Sequence, residues 1–248
     1  MACQKFEDRI LHDLLPKFCD HPSQAWGPEG FRKDWKKIHD QDARDFLRGL
    51  DSGLIRHVKH GHYLAPKSSA KEMFFWVGSK KITPRPITLW AEPIITVAVL
   101  ARLHFDLGWP KELVGAQSSD WAFDAVTFPT TESSNEHIAC EVKKSVSEVE
   151  KLITCMIQFG ANPQLELPGN AKELNAYKKV VGLRSRQAPL FWAVGPNTKN
   201  HAFRLVYGDG GLVEFEETTI QALIYSNSAA KIPSLGTMPP LRGLSLSE

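Results

Sequence analysis

Three side chains in the middle of the sequence, Asp124, Glu141 and Lys143, have the types and spacing that could hold a divalent cation. Glu141 and Lys143 are two residues apart in a segment of alternating polarity, so a β-strand would place both on one face. If the segment that contains Asp124 pairs with it as a hairpin, Asp124 comes to lie beside Glu141. Burying two carboxylates and an ammonium group is costly unless a cation compensates for the charge.

The surrounding sequence predicts the elements that would position these side chains. Residues 121–128 are rich in aromatic and branched side chains and predict a strand, in which Trp121, Phe123 and Ala125 share one face and Asp124 points away from them. Residues 137–143 predict its hairpin partner, joined by the polar loop 129–136. A helix from Glu92 to about residue 107 and a short strand at 113–116 come before. A capping box at residues 145–148 starts a helix that runs to residue 160.

The rest of the chain predicts a mixed α/β fold. Helices are expected at residues 8–18, 41–50 and 172–181, and strands at 54–58, 63–65, 73–77, 189–194 and 202–207. Pro84 and Pro86 mark a boundary between an N-terminal α+β lobe (1–87) and a core with a mixed central β-sheet flanked by helices (88–225). Residues 226–248 are rich in Ser, Pro and Gly and predict a C-terminal tail.

Two acid-x-lysine tripeptides occur, Asp34-Trp35-Lys36 and Glu141-Val142-Lys143. The first lies in a polar segment with no aspartate-bearing strand before it. The second ends an alternating strand and precedes a capped helix. This ordered set resembles the PD-(D/E)XK superfamily of restriction-type nucleases, over roughly residues 89–207. The resemblance implies a restriction-endonuclease-like core.

The resemblance also implies a role for each matching residue. Asp124 and Glu141 would be metal ligands together with the main-chain carbonyl of Val142, and Lys143 would position or help activate the attacking water. Glu92 would be the carboxylate on the preceding helix. The implied cofactor is Mg²⁺ or Mn²⁺, and the implied reaction is in-line attack of water on a phosphodiester. The family's proline before the aspartate is absent.

Two of these assignments have alternatives. Asp120 could take the place of Asp124, although an aspartate after Ser118 and Ser119 more often marks a turn. Glu92 could simply stabilise a helix N-terminus by its charge.

The charge distribution suits a nucleic-acid partner better than the net charge of +2 does. Residues 52–88 and 171–204 each carry seven basic side chains against one acid, whereas residues 106–150 carry nine acids and three lysines. An acidic centre between basic segments fits a metal-bearing cleft with phosphate-binding walls. Candidate nucleic-acid contacts are Lys59, Lys80, Lys81, Arg85 and Lys144. We expect the seven tryptophans mainly in the core, although Trp76 and Trp90 could line the cleft.

Several classes are disfavoured by composition. No apolar run approaches the roughly 18 residues of a membrane span, and the charged N-terminus does not resemble a signal peptide. The four cysteines show no zinc-finger or C-x-x-C spacing. The expected location is therefore the cytoplasm.

The sequence predicts a metal-dependent nuclease, most simply an endodeoxyribonuclease of restriction, defence, repair or mobile-element processing. RNA is an alternative substrate, and the resemblance makes a homodimer one expected arrangement. The competing hypotheses are a non-catalytic nucleic-acid-binding module on the same fold and a regulatory α/β domain in which the carboxylates are incidental.

Overall fold

The computed structural model of this chain describes residues 2–20, 27–35, 37–118 and 122–226. Within them, the N-terminal part combines helices with two small sheets. Its helices are α1 (Ala2–Arg9), α2 (Leu15–Cys19) and α3 (Asp40–Asp51), and a π-helical turn joins the first two. Its strands are β1 (Phe31–Arg32), β2 (Arg56–Lys59), β3 (His62–Leu64), β4 (Glu72–Met73), β5 (Phe75–Val77) and β6 (Ile87–Leu89). One sheet has the order β1–β6–β5 and the other β2–β3–β4.

The later part is built around a six-stranded sheet. Helix α4 (Ala91–Phe105) precedes it, and α5 (Val146–Ala161) and α6 (Ala171–Arg186) lie within its sequence. The strands are β7 (Val114–Ala116), β8 (Ala125–Thr127), β9 (Ile138–Val142), β10 (Leu190–Val194), β11 (Asn200–Tyr207) and β12 (Val213–Thr218). They lie in the order β12–β11–β10–β9–β8–β7, with β9 and β10 parallel and the other pairs antiparallel. The expected mixed α/β class is therefore confirmed.

The two faces of this sheet are covered by different helices. Side chains of β9 at Ile138, Cys140 and Val142 belong to one buried cluster with apolar residues of α4. The intervening Ala139 belongs to a second cluster with residues of α5 and α6. Strand alternation thus divides the core into two layers, and the sheet lies between them.

Helix α4 is enclosed on every side. Every residue from Pro93 to Leu103 is buried. Arg102, the one charged residue in that stretch, donates to Asp42 and Asp45 of α3 at 2.6 Å each, and both aspartates are buried. The N-terminal helix α3 therefore packs on α4 through apolar contacts and a buried, hydrogen-bonded charge triad.

Most predicted elements appear within a few residues of their expected positions. Ser145 caps α5 as predicted, because its hydroxyl oxygen accepts a hydrogen bond from the Glu148 N–H at 3.3 Å. Helix α6 is longer than expected, and β12 had no counterpart in the prediction. The single strand expected at 73–77 is wrong, since Phe74 separates β4 from β5 and the two belong to different sheets.

The boundary expected after residue 87 stays a prediction. Strand β6 spans it, and one buried cluster contains Phe6 and Phe46 of the N-terminal helices together with Trp192 of β10. The expected C-terminal tail lies outside the described residues apart from its first position. None of the helices in the described residues is both long and apolar enough to cross a membrane.

Candidate active site

Glu141 lies between two lysines at the centre of the six-stranded sheet. Its side chain is only 2% exposed. One carboxylate oxygen accepts a hydrogen bond from Lys143 Nζ and the other from Lys179 Nζ, each at 2.5 Å. The prediction that Glu141 and Lys143 share a face is confirmed by the first of these contacts.

Asp124 reaches the same cluster from the start of β8. Its Oδ2 accepts a hydrogen bond from the Val142 N–H at 2.8 Å, so its carboxylate lies against the strand segment that separates Glu141 from Lys143. The main-chain N–H and C=O of one strand residue point to the same side. The carbonyl of Val142 therefore faces the side on which Asp124 lies.

The chain reaches this position through an irregularity that alternation did not predict. Phe123 packs in the α5–α6 cluster, whereas Ala125 packs in the α4 cluster, so the expectation that they share a face is wrong. Cys140 pairs with Ala125, and its carbonyl also accepts a hydrogen bond from the Asp124 N–H at 3.0 Å. Two successive residues thus oppose one, which is the arrangement of a β-bulge and redirects the aspartate side chain.

The pKa of Asp124 reflects its burial and the charges of its neighbours. Burial, followed by the negative charge of Glu141, raises the pKa of Asp124 to about 8. Lys179, Lys143 and the Val142 N–H act in the opposite direction but do not offset these effects. Asp124 is therefore the group of the cluster whose negative charge is least compensated.

Lys143 is held as an ammonium group by its neighbours. Burial acts to lower the pKa of Lys143, but the charges of Glu141, Asp124 and Glu92 raise it overall. No contact between Glu92 and the carboxylates is seen in the described residues. The structure therefore brings Asp124, Glu141 and Lys143 together and leaves Glu92 at their edge.

Lys179 is a member of the cluster that the sequence reasoning missed. It lies on α6, is 5% exposed, and also donates to the main-chain carbonyl of Ala122 at 2.5 Å. Its sequence context did contain a signal. Ala176, Val180 and Leu183 are the buried face of α6, and Lys179 occupies that face at helical spacing. A lysine at such a position needs a buried anion, and Glu141 is that anion.

A further buried carboxylate supports the turn that precedes Asp124. Gln117, which has a left-handed backbone (φ 61°), donates its N–H to the Asp124 carbonyl at 2.9 Å. Its side-chain amide donates to Glu72 of β4 at 3.1 Å. Burial raises the pKa of Glu72. The N-terminal part of the chain thus contacts the loop that positions the site.

The donor set fits a hard divalent cation through two carboxylates and one carbonyl. Within residues 2–20, 27–35, 37–118 and 122–226, no three His, Cys, Asp or Glu side chains form a metal-binding group. Mg²⁺, however, is commonly held by one or two carboxylates, with waters and substrate phosphates as the remaining ligands. Burial raises the pKa of Asp124 to about 8, and a bound cation would stabilise its charged form. Glu141 would have to exchange at least one lysine contact for the cation.

The predicted nucleic-acid contacts lie at several places on the surface. Lys80 and Lys81 are exposed in the loop between β5 and β6, and Arg85 of the same loop donates to the Gly78 carbonyl at 2.9 Å. Lys59 is exposed on β2. Lys144 is also exposed, and its Nζ lies 3.8 Å from Oε1 of Glu148 in α5. Asp120, the alternative to Asp124, lies outside the described residues.

No protein-family model matches this chain, and no curated protein or solved structure is significantly similar to it. The resemblance to PD-(D/E)XK nucleases therefore rests on the order of the elements and on the site residues.

Proposed function

We propose that this chain is a metal-dependent nuclease that hydrolyses phosphodiester bonds, with DNA as its substrate and RNA as the alternative. The observation that carries the proposal is the convergence of Asp124, Glu141 and Lys143 at one buried point. The element order supports it: a helix, a three-stranded meander, a helical pair and a parallel strand are consistent with a restriction-endonuclease-like core. The biological process in which the nuclease acts would be restriction, defence, repair or mobile-element processing.

The chain's own residues suit this reaction. Asp124, Glu141 and the carbonyl of Val142 would hold Mg²⁺ or Mn²⁺. When bound, such a cation would lower the pKa of a water molecule and neutralise charge on the phosphate. Lys143, which is 18% exposed at its side chain, could turn its ammonium group from Glu141 toward the attacking water or a phosphate oxygen. Lys179 is enclosed and has no such access, so its role is to keep Glu141 in place.

The test is metal-dependent cleavage of plasmid, single-stranded DNA and RNA by the wild type beside two lysine variants. Lys143→Ala should lower the rate at least about a hundredfold, as expected when a positioned proton-handling group is removed. The adjacent Lys144→Ala is the matched control, since Lys144 is exposed, and it should cut at close to the wild-type rate. Equal cleavage by wild type and Lys143→Ala would refute the assignment of the site.

A non-catalytic nucleic-acid-binding or regulatory protein on the same fold is the second candidate. It is favoured by the pairing of both Glu141 oxygens with lysines, because a carboxylate with both oxygens paired needs no cation to compensate for its charge. All four residues of the cluster could then serve only to stabilise the fold. A Mn²⁺-dependent rise in melting temperature that disappears in Asp124→Ala would support the nuclease. A melting temperature that does not respond to metal in either protein would support the second candidate.

A further inference from the structure

Two neighbouring tryptophans, Trp76 and Trp90, are exposed to solvent. Trp76 of β5 is 63% exposed, and Trp90, which precedes α4, is 40% exposed. Their ring centroids are 6.3 Å apart and their planes are inclined at 77°. They are the two tryptophans for which the sequence analysis allowed a place outside the core, whereas Trp109 and Trp192 are buried as expected. Leaving so much aromatic surface in water forgoes the stabilisation of burial, which suggests that it has another use.

The backbone holds the two rings in place. Trp76 pairs with Thr88 across β5 and β6, and the Trp90 N–H donates to the Phe74 carbonyl at 2.8 Å. Trp90 is thus a diagonal cross-strand neighbour of Trp76, within reach of a long aromatic side chain. We call Trp76 and Trp90 together the tryptophan platform. Because its backbone is hydrogen-bonded in a sheet, the platform is already ordered before a ligand binds.

The sequence segment that carries the platform is basic. The loop between β5 and β6 exposes Lys80 and Lys81, and residues 73–90 contain no aspartate or glutamate. Exposed aromatic rings next to exposed lysines complement a ligand that offers flat apolar faces and regularly spaced negative charges. A nucleic-acid strand with unpaired bases has that chemistry. Bases in a duplex already stack on each other, so their faces are not available.

The platform is close in sequence to one candidate site residue, because Trp90 is followed two residues later by Glu92. A strand that stacks on the platform would therefore pass near the start of α4, which carries that residue.

We propose that the tryptophan platform binds single-stranded nucleic acid, with Trp76 and Trp90 stacking on unpaired bases and Lys80 and Lys81 contacting the adjacent phosphates. This proposal deepens the proposed function, because it names an unpaired segment as the part of the substrate that the enzyme recognises.

The test is binding of labelled oligothymidylate of about 12 nucleotides, within the usual range for such sites, measured by fluorescence anisotropy in EDTA. Oligouridylate and a duplex of equal length are measured in parallel. Trp76→Ala should weaken binding of the single strands at least about fivefold. Trp76→Phe should retain most of the affinity. Leu167→Ala is the matched control, since Leu167 is a similarly exposed apolar residue (66%) between α5 and α6, and it should bind as the wild type does.

Salt dependence separates stacking from charge. Trp76→Ala should leave the slope of log affinity against log salt unchanged, because the lysines still neutralise the same phosphates. Lys80→Ala combined with Lys81→Ala should reduce that slope by up to about 1.4, because each phosphate neutralised on a single strand adds roughly 0.7 to it. A slope that the lysine variant leaves unchanged would overturn the role of the two lysines in binding phosphates.

Two further results would overturn the proposal. One is single-strand binding by Trp76→Ala equal to that of the wild type, and the other is a loss of duplex binding in Trp76→Ala as large as its loss of single-strand binding. The assay contains no metal and is therefore independent of cleavage. If Trp76→Ala binds single strands as the wild type does, while cleavage depends on Lys143, this inference is wrong and the proposed function stands. If binding depends on the tryptophan platform but the protein cleaves none of the substrates, the proposed function is wrong and this inference stands.

Discussion

Replacing Lys179 by methionine tests the architecture of the cluster directly. The methionine keeps much of the side-chain volume but removes the ammonium group that donates to Glu141 and to the Ala122 carbonyl. Glu141 is then left almost fully buried with one lysine partner. Breaking a buried ion pair by removing one partner costs about 3–5 kcal/mol. At about 2–4 °C for each kcal/mol in a domain of this size, the melting temperature should fall by about 6–20 °C.

The assay is urea unfolding and thermal melting of the wild type, Lys179→Met and a matched control. The control is Lys144→Met, whose ammonium group is exposed and 3.8 Å from its acidic partner. Its stability should change by no more than about 0.5 kcal/mol. Adding Glu141→Gln to Lys179→Met should restore part of the stability, because it removes the buried carboxylate that has lost one of its two lysine partners. If Lys179→Met is no less stable than Lys144→Met, the reasoning about the buried pair is wrong.

The same variant bears on metal binding. In the wild type both carboxylate oxygens of Glu141 accept hydrogen bonds from lysine ammonium groups, whereas Lys179→Met leaves one of these oxygens free to bind a cation. If the cluster binds a divalent cation, Mn²⁺ should therefore raise the melting temperature of Lys179→Met more than that of the wild type. A smaller rise would contradict the placement of the cation at Glu141.

Three further predictions concern stability. The pKa of Asp124 is about 8 in the folded, metal-free protein but near 3.8 when unfolded. The folded state therefore binds more protons than the unfolded state between those pH values, so the free energy of unfolding of the wild type should fall as pH rises from about 4 to 8. Urea titrations of Asp124→Asn across that range should lack the part of the fall that Asp124 causes. Arg102→Met leaves two buried aspartates unpaired and should cost at least about 3–5 kcal/mol in urea unfolding, whereas the exposed Arg48→Met should be near neutral. Gln187 ends α6 in the left-handed conformation (φ 53°), which glycine adopts without strain. Gln187→Gly should therefore increase the free energy of unfolding by about 0.5–1 kcal/mol and raise the melting temperature. An unchanged or lower melting temperature would contradict this prediction.

Features encoded by local rules were predictable from the sequence. The capping hydroxyl of Ser145, the antiparallel pairing of β8 with β9, and the shared face of Glu141 and Lys143 all follow from spacing within a few residues. Each depends on helix or strand periodicity and on interactions between neighbours in the chain, which a single sequence contains.

Features that depend on distant residues were not predictable in the same way. The bulge at Asp124 depends on how Cys140 pairs with two successive residues, and alternation alone cannot show where a strand breaks its own pattern. Lys179 is 38 residues away from Glu141 in sequence. Its place on the apolar stripe of α6 indicated a buried partner, but only the fold shows which one. Strand β12 was missed because its side chains are largely exposed and acidic, which is uncommon for a strand.

The enclosure of α4 has a consequence for how this chain can be divided or recombined. One side of the helix contacts α3 and the other contacts the large sheet. A fragment that starts at residue 88 would expose the apolar surface that α3 covers and the guanidinium of Arg102. We therefore expect a gene fusion that separates the N-terminal segment from the sheet to yield poorly soluble protein.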